Sequence, residues 1–463
     1  MKYNRVSSKV ITRLEDIVGE ENVLSEHLKD YGHDESYLLE WTPPEVVVKP
    51  KSKAEVAEVL KLADRELIPV TPRGGGTGLS GGAVPIYGGI LLSLERMDKI
   101  LEIDEENFVA VVEAGVVLGK LYEAVEERGL YYPVYPEEEG ATIGGNVATN
   151  AGGMKAVKYG VTRNYIMGLE AVLPDGTAIE TGGKYVKCST GYDLTQLLVG
   201  SEGTLAVVTR IILKLIKRPK HRCYLIPTFH NLDQAIATVP KILKEGIVPA
   251  AIEFMLDITM KLCQSYTGIE LPIPEAGSYL IIIVESDSEA ELKNITERTS
   301  AICMDNGAFD VFIVDTEKDM KKVSQVRSKL HFAVKALGRV DIADAVVPRS
   351  KIPELMRKLG EISLKHGVIV SGSGHAGDGN VHIGVVGGML EEEFRKLLPT
   401  VFKDIFAEGI SLGGTISGEH GIGIAKKKYV PLAIKEEQLE LMRKIKKVFD
   451  PNCILNPGKI FDF

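Results

Sequence analysis

Residues Gly76 to Gly81, Gly-Thr-Gly-Leu-Ser-Gly, spell the GxGxxG pattern that opens many dinucleotide-binding βαβ units. The residues C-terminal to them exclude that fold. In such a unit the pyrophosphate sits on the N-terminus of a helix that starts at the last glycine. Here the chain runs on through Gly82-Ala83-Val84-Pro85-Ile86-Tyr87-Gly88-Gly89 into Ile90-Leu91-Leu92-Ser93, and Pro85 with the β-rich run behind it leaves no place for a helix to begin. No glycine run ends in Gly-Lys-Ser or Gly-Lys-Thr, so a P-loop is absent as well. What remains is strand, loop, strand, with the successive amides of Gly74 to Gly78 forming a nest able to wrap an anion and Arg73 able to add charge.

A second small-residue cluster runs from Thr142 to Gly153, with Thr142, Asn146, Thr149 and Asn150 as hydrogen-bonding side chains. Each cluster alone could be a tight interstrand turn. Two in one domain point to a long ligand held along its length.

The rest of the chain sets the frame. Its 463 residues exceed one ordinary core, which predicts two or three domains. Hydrophobic residues make up 44% and charged residues 26%, yet no apolar run reaches the ~18 residues needed to span a bilayer. The longest, Tyr279 to Ser286 (YLIIIVES), has the length of a buried strand. The N-terminal residues mix both charge signs without an apolar signal core, so a cytoplasmic protein is expected, peripheral to a membrane only through a partner. The net charge of −9 is spread without a basic stripe, which argues against nucleic acid as a partner. Cys188, Cys223, Cys263, Cys303 and Cys453 are scattered, with neither a CxxC pair nor an iron–sulfur run. Any electrons this chain passes on must leave by another carrier.

Periodicity predicts helices over residues 5–30, from Ser52 as N-cap with Glu55 three residues on, near 118–128, and over 231–245, 287–304, 317–337, 350–366, 391–408 and 435–448. Strands are expected at CYLIPTF, YLIIIVES, DVFIVD and HIGVV, in the long run GTLAVVTRIILKLI, and in a hairpin around Pro174-Asp175-Gly176. The basic stretch KRPKHR, residues 217–222, reads as a domain boundary.

Most of the remaining chemistry lies in SGSGHAGDGNVHIG, residues 371–384. His375 and His382 stand seven residues apart, and the Gly377-Asp378-Gly379-Asn380 run between them can fold the chain back so that both imidazoles approach one point. Two imidazoles, a third ligand and an open position make a catalytic-type site for a divalent ion; a hydrogen-bonded loop is the competing reading. In Ser-Gly-Glu-His-Gly, residues 417–421, flanking glycines expose a carboxylate and an imidazole. Glu419 is the best candidate for the third ligand, which leaves His420 as a base. His27, His33, His221, His230, His331 and His366 have no such pattern and read as structural or exposed.

The segments PRGGGTGLSGGAVP, GATIGGNVATNAGG, KYGVTRNYIMGLEAVLPDGT and GYDLTQLLVGSEGTLAVVT resemble the successive signatures of the flavin-binding domain of the vanillyl-alcohol oxidase (PCMH-type) superfamily. GHAGDGNVHI, SGEHGIG and DPNCILNPGKI resemble its D-lactate dehydrogenase and glycolate oxidase catalytic-subunit branch. Seven motifs in order span roughly residues 40 to 460. The resemblance implies an α+β protein: an N-terminal helical segment (1–39), a PCMH-type FAD-binding domain (40–218), a second α+β cap domain carrying the substrate (219–410), and a C-terminal segment (411–463) that returns to the flavin. It places FAD on Pro72, Arg73, Gly74, Gly75, Gly76, Thr77, Gly78, Gly81, Ala83, Pro136, Ala141, Thr142, Gly145, Asn146, Asn150, Gly152, Val207 and Asn456. Some members attach the flavin through a histidine where this chain has Thr77, so noncovalent FAD is expected.

The resemblance also implies a metal on His375, His382 and Glu419, zinc first with iron or manganese also fitting, His420 as base, and Arg327 as the cation for a substrate carboxylate. Asn380 either meets the substrate or shapes the turn. Related 2-hydroxyglutarate dehydrogenases carry a lysine in the segment matching DIADAVVP, where Ile342 and Ala343 stand here. The expectation is therefore an FAD-dependent dehydrogenase of a small D-2-hydroxy acid, D-lactate or glycolate, handing electrons to an external iron–sulfur subunit, electron-transfer flavoprotein or quinone. A homodimer is compatible with it. The rivals are a noncatalytic FAD-binding relay subunit, a member acting on another substrate such as D-2-hydroxyglutarate, and a zinc hydrolase, which leaves the first 200 residues unexplained.

Overall fold

The computed structural model describes residues 2–37 and 42–462, and the expected boundary between residues 39 and 40 lies outside them. The chain forms two compact units. The first comprises Met1–Ala151, Val161–Arg218 and Glu419–Phe463; the second comprises Gly152–Gly160 and Pro219–Gly418.

The first unit contains a four-stranded sheet in the order Val23–Leu24, Val46–Val48, Ile90–Ser93, Val70–Arg73, antiparallel at the first pair and parallel thereafter. Val46–Val48 and Ile90–Ser93 are buried throughout, as strands covered on both faces must be. Helix Lys53–Glu66 starts at Ser52, whose hydroxyl accepts from Glu55 N at 3.2 Å, and buries Val56, Val59, Leu60 and Ala63. Beyond Arg73 the chain runs to Ile90 with no helix, as Pro85 and the apolar run require. The unit also holds a five-stranded antiparallel sheet, in the order Ile100–Asp104, Val109–Glu113, Val207–Lys214, Ile166–Val172, Ala178–Gly182. Its last two strands are the hairpin around Pro174-Asp175-Gly176.

The second unit is built on a seven-stranded, wholly antiparallel sheet. Its strands are β1 (His221–Phe229), β2 (Ala251–Leu256), β3 (Ser278–Ser286), β4 (Ala308–Val314), β5 (Arg339–Val346), β6 (Ile369–His375) and β7 (Asn380–Gly387), in the spatial order β4-β1-β3-β2-β6-β7-β5. One face carries Tyr224, Ile226, Ala251, Met255, Tyr279, Ile281 and Ile283, closed over by Met320, Val323, Val326 and Ala333 of helices Glu317–Ser328 and Leu330–Lys335. The other face takes helices that include Ile352–His366 and Glu391–Ser411; Gly372 lies against Met356, and Gly387 against Phe394. No described helix is long and apolar enough to cross a membrane.

Two helices differ from expectation. That predicted over 5–30 spans only Ser8–Val18, closed where Gly19 N donates to Glu15 O at 2.8 Å. The apolar Val23 and Leu24 beyond it are drawn into pairing with Val48 and Val47. That predicted over 317–337 breaks at Lys329 (φ −91°, ψ 7°), whose amide turns back to Arg327 O. Strands β2, β5 and β6 lie in runs not singled out as strands, because Glu253, Asp344 and the glycines of Ser371 to Gly374 interrupt their apolar character.

Candidate active site

The β6–β7 hairpin turns through Ala376 to Gly379. Asp378 Oδ1 accepts from Asn380 N at 3.0 Å, and the amides of Asp378 and Gly379 both close onto His375 O, at 3.2 and 2.9 Å. Gly379 is required here: its φ is +96°, and a Cβ would fall 2.1 Å from Val347 O. In the ladder His375 pairs with Asn380 and with Glu253, while His382 pairs with Ser373 and with Asp344. Residues directly opposite share a face, so register alone collects Glu253, His375, Asn380, His382 and Asp344 on the core face of the sheet. The apolar half of that face thus gives way to a polar half at Glu253.

The contacts among these groups are specific. His375 is buried, and its Nδ1 donates to Glu253 Oε1 at 2.6 Å, which fixes the tautomer and turns the Nε2 lone pair the other way. His382 Nε2 lies 3.2 Å from His375 Nε2, with the rings nearly perpendicular at 87°. Two nitrogens at about 2.0–2.1 Å from a tetrahedral ion stand about 3.3 Å apart, so the pair fits a shared divalent cation. The second oxygen of Glu253 takes the Arg327 guanidinium, delivered by the last turn of helix Glu317–Ser328. Glu253 is 1% exposed among apolar neighbours. A carboxylate there would cost several kcal/mol without both partners.

Asn380 is committed inward: its Nδ2 donates to Asp344 Oδ1 at 2.6 Å and to Ala345 O at 3.2 Å. The other oxygen of Asp344 accepts from Ser417 Oγ and Gly418 N, each at 2.9 Å. Asp344 thereby fixes the end of the second unit, one peptide bond before Glu419. Glu419 and His420 open the last segment of the first unit, with His420 Nε2 4.0 Å from Glu419 Oε1. Ile342 lies two residues before Asp344 on the same face of β5, and Ala343 on the other.

In the first unit the two small-residue loops meet. A Cβ on Gly74 would stand 2.2 Å from Thr142 Oγ1, and Thr142 caps helix Ile143–Thr149 by accepting from Gly145 N at 3.2 Å. Among the described residues, no backbone carbonyl accepts from the amides of Gly74 to Gly78. Asn146 Nδ2 is buried with no hydrogen-bond partner. Waiting amides, side-chain-free approach and an unsatisfied buried donor are what a bound dinucleotide phosphate and its flanking groups would use. Pro72 ends the adjoining strand with Arg73; Thr77, Gly81 and Ala83 lie along the loop; Ala141 precedes Thr142; and Val207 opens its strand. Pro136 lies upstream in the same connection. Asn150 takes a left-handed conformation at the helix end and accepts from Arg163 N at 2.9 Å. Asn456 Nδ2 bridges Gly82 O at 3.0 Å and Glu202 O at 2.7 Å. Gly152 belongs to the second unit. Arg73 lies at the nest, where a Cβ on Gly76 would stand 2.1 Å from its Nη2, and its guanidinium also donates to the carbonyls of His33 and Asp30 and lies 6.0 Å from the Tyr31 ring.

Sequence reasoning missed Glu253 and Asp344. Glu253 is a lone acid inside the apolar strand Ala251-Ile-Glu-Phe-Met-Leu256, and Asp344 interrupts the otherwise apolar run Ile342-Ala-Asp-Ala-Val346; an acid set among apolar strand residues is the signal the sequence offers.

Residues 44–182 match the FAD binding domain model, and residues 218–460 match the FAD linked oxidases, C-terminal domain model. A D-lactate dehydrogenase of Anaerostipes hadrus is 41% identical over 99% of this chain and 98% of its own length. The glycolate oxidase subunit GlcD of Bacillus subtilis is 39% identical over 90% of this chain and 89% of its own. A D-2-hydroxyglutarate dehydrogenase of Stutzerimonas stutzeri is 31% identical over 98% of both. The fold matches p-cresol methylhydroxylase with substrate bound at a TM-score of 0.81 and 18% identity, over 98% of this chain and 96% of that one. With the α+β architecture and the relatives in agreement, the chain belongs to the FAD-linked oxidases of PCMH-type fold and is an FAD-linked oxidoreductase of the D-lactate dehydrogenase and glycolate oxidase type.

Proposed function

We propose that the protein oxidises a small D-2-hydroxy acid, D-lactate or glycolate, to the 2-oxo acid. The observation that carries this reading is the convergence of His375 Nε2 and His382 Nε2 to 3.2 Å beside a guanidinium held by the same carboxylate that orients His375. Bound noncovalently beside Thr77, FAD would supply the hydride acceptor, and a divalent ion, zinc in the first place with iron or manganese alternatives, would supply a Lewis acid for the substrate hydroxyl. His375, His382 and Glu419 would hold that ion. His420 takes the hydroxyl proton, its ring being the side chain suited to proton transfer near neutral pH. Arg327 receives the substrate carboxylate, its guanidinium held in place where Nη2 meets Glu253. Asn380 acts from behind, holding Asp344.

Ile342 on the site face favours a monocarboxylate, since a second carboxylate would meet an apolar side chain there. The electrons leave to an external acceptor: an iron–sulfur subunit, an electron-transfer flavoprotein or a quinone. Anaerobic mixing of the purified holoenzyme with D-lactate, L-lactate, glycolate and D-2-hydroxyglutarate, one at a time, tests the reading. Bleaching of flavin absorbance by D-lactate or glycolate is expected. Faster bleaching by D-2-hydroxyglutarate would overturn the substrate assignment, and flavin that stays with acid-precipitated protein would overturn the noncovalent one.

A further inference from the structure

The first unit contains a buried carboxylate that the proposed chemistry does not use. Glu202, in Gly200-Ser-Glu-Gly-Thr204, is 7% exposed, and its backbone sits in the left-handed region at φ +51°. A non-glycine residue is strained in that conformation, so the surroundings must hold it there. They do: Glu202 N donates to Ala148 O at 2.8 Å, and Glu202 O accepts from Asn456 Nδ2. The side chain then spends both oxygens on one short segment. Oε1 accepts from Ile422 N and Oε2 from Gly423 N, each at 2.7 Å.

The same segment is tied on its other edge to the glycine-rich loop. Ser80 Oγ donates toward His420 O at 3.0 Å and Gly421 O at 3.1 Å, while Ser80 O accepts from Ile424 N at 2.8 Å and Ala425 N at 3.1 Å. The backbone of residues 420–425 is therefore fastened by side chains from two distant parts of the sequence, and Ser80 lies two residues past Gly78, the end of the amide nest. Burial pushes the Glu202 carboxyl up from its ordinary range, and the buried Lys426 and Lys459 pull against that shift.

We propose that Glu202 and Ser80 are positioning residues that seat the His420 loop on the flavin-binding loop. The effect on turnover rests on the assignment of His420 as base; the seating itself does not. A side chain that must meet a substrate proton within hydrogen-bond reach loses rate steeply when its backbone drifts by an ångström, while binding of the substrate carboxylate elsewhere is unaffected.

The test compares wild-type holoenzyme with Glu202→Gln, Ser80→Ala and His420→Ala by amide hydrogen exchange and steady-state kinetics. Glu202→Gln keeps the size of the side chain but turns an amide group toward one of the two donating N–H groups. Exchange at Ile422 to Ala425 should accelerate about tenfold or more in Glu202→Gln and in Ser80→Ala, with the β6–β7 hairpin unchanged, and kcat should fall about tenfold or more with KM within about twofold. Unchanged exchange in both variants overturns the proposal, whatever happens to turnover. Accelerated exchange throughout the chain overturns it too, since it would report general loosening. Local acceleration together with a harmless His420→Ala supports the seating and places the failure in the base assignment.

Discussion

Glu253 holds His375 and Arg327 at once: Oε1 lies 2.6 Å from His375 Nδ1, and Oε2 pairs with the guanidinium. One buried carboxylate thus orients both the imidazole and the guanidinium proposed to meet the metal ion and the substrate carboxylate. Glu253→Gln keeps the shape while removing the charge that holds the imidazole and the guanidinium. Zinc or cobalt affinity, measured by titration calorimetry, should fall about 10–100-fold, with the flavin spectrum unchanged. Wild-type metal affinity in this variant would remove Glu253 from the site.

Replacing His375 or His382 by alanine removes one of two converging nitrogens without touching the amide nest of the first unit. Metal content should drop below stoichiometric, and turnover should fall on the order of 10³-fold, several kcal/mol of lost stabilisation. FAD occupancy, read from absorbance, should stay at one per chain. Loss of flavin along with the metal would show that the two sites are not separable in this way.

Ile342 stands on the site face of β5, two residues from Asp344. Ile342→Lys places an ammonium where a second substrate carboxylate could meet it. The ratio of kcat/KM for D-2-hydroxyglutarate to that for D-lactate should rise about tenfold or more, as expected for a charge-assisted hydrogen bond. A ratio that does not move would detach this position from substrate choice.

Lys459 is 3% exposed and donates to Val84 O at 2.8 Å, and burial pulls its ammonium from 10.5 down to about 7. Above about pH 7 the folded chain has released a proton that the unfolded chain keeps until about 10.5, so this group makes stability rise with pH across that window. Below pH 7 both states are protonated, and the full cost of burying the charge remains. Denaturant unfolding of wild type and Lys459→Met from pH 7 to 9 should show the wild type gaining on the variant by up to about 1.4 kcal/mol per pH unit. Parallel stability profiles would mean that the ammonium does not titrate in this range.

The legible parts of the molecule are those governed by local rules. Ser52 announces a helix, Pro85 forbids one, and Gly377 to Asn380 announce a turn that brings two imidazoles together. Whatever register decides cannot be read in this way. Glu253 is 122 residues from His375, and nothing in either segment names the other; only the β2–β6 pairing does so. The same holds for Asp344 opposite His382. Charged residues at such positions also break the apolar runs, so strands β2 and β5 are hidden by the residues that give them their role. Arg73 shows both cases. Its place as a cation beside the glycine nest is legible, and its guanidinium packs against Gly76; the His33 and Asp30 carbonyls that also hold it, 40 and 43 residues away, are not.

Strand β5 is the outermost member of the seven-stranded sheet, whereas β2 and β6, which carry Glu253 and His375, are interior. An interior side chain that serves two partners is constrained by both, so a change there must be matched by changes elsewhere. Along its length the margin strand pairs only with β7, meeting Thr415 at Val346 on its other edge, and Ile342, unlike Asp344 on the same strand, carries no such double obligation. This arrangement separates what must persist through divergence from what is free to vary: relatives could drift from one hydroxy acid to another by altering the rim of the sheet, each intermediate keeping its chemistry intact.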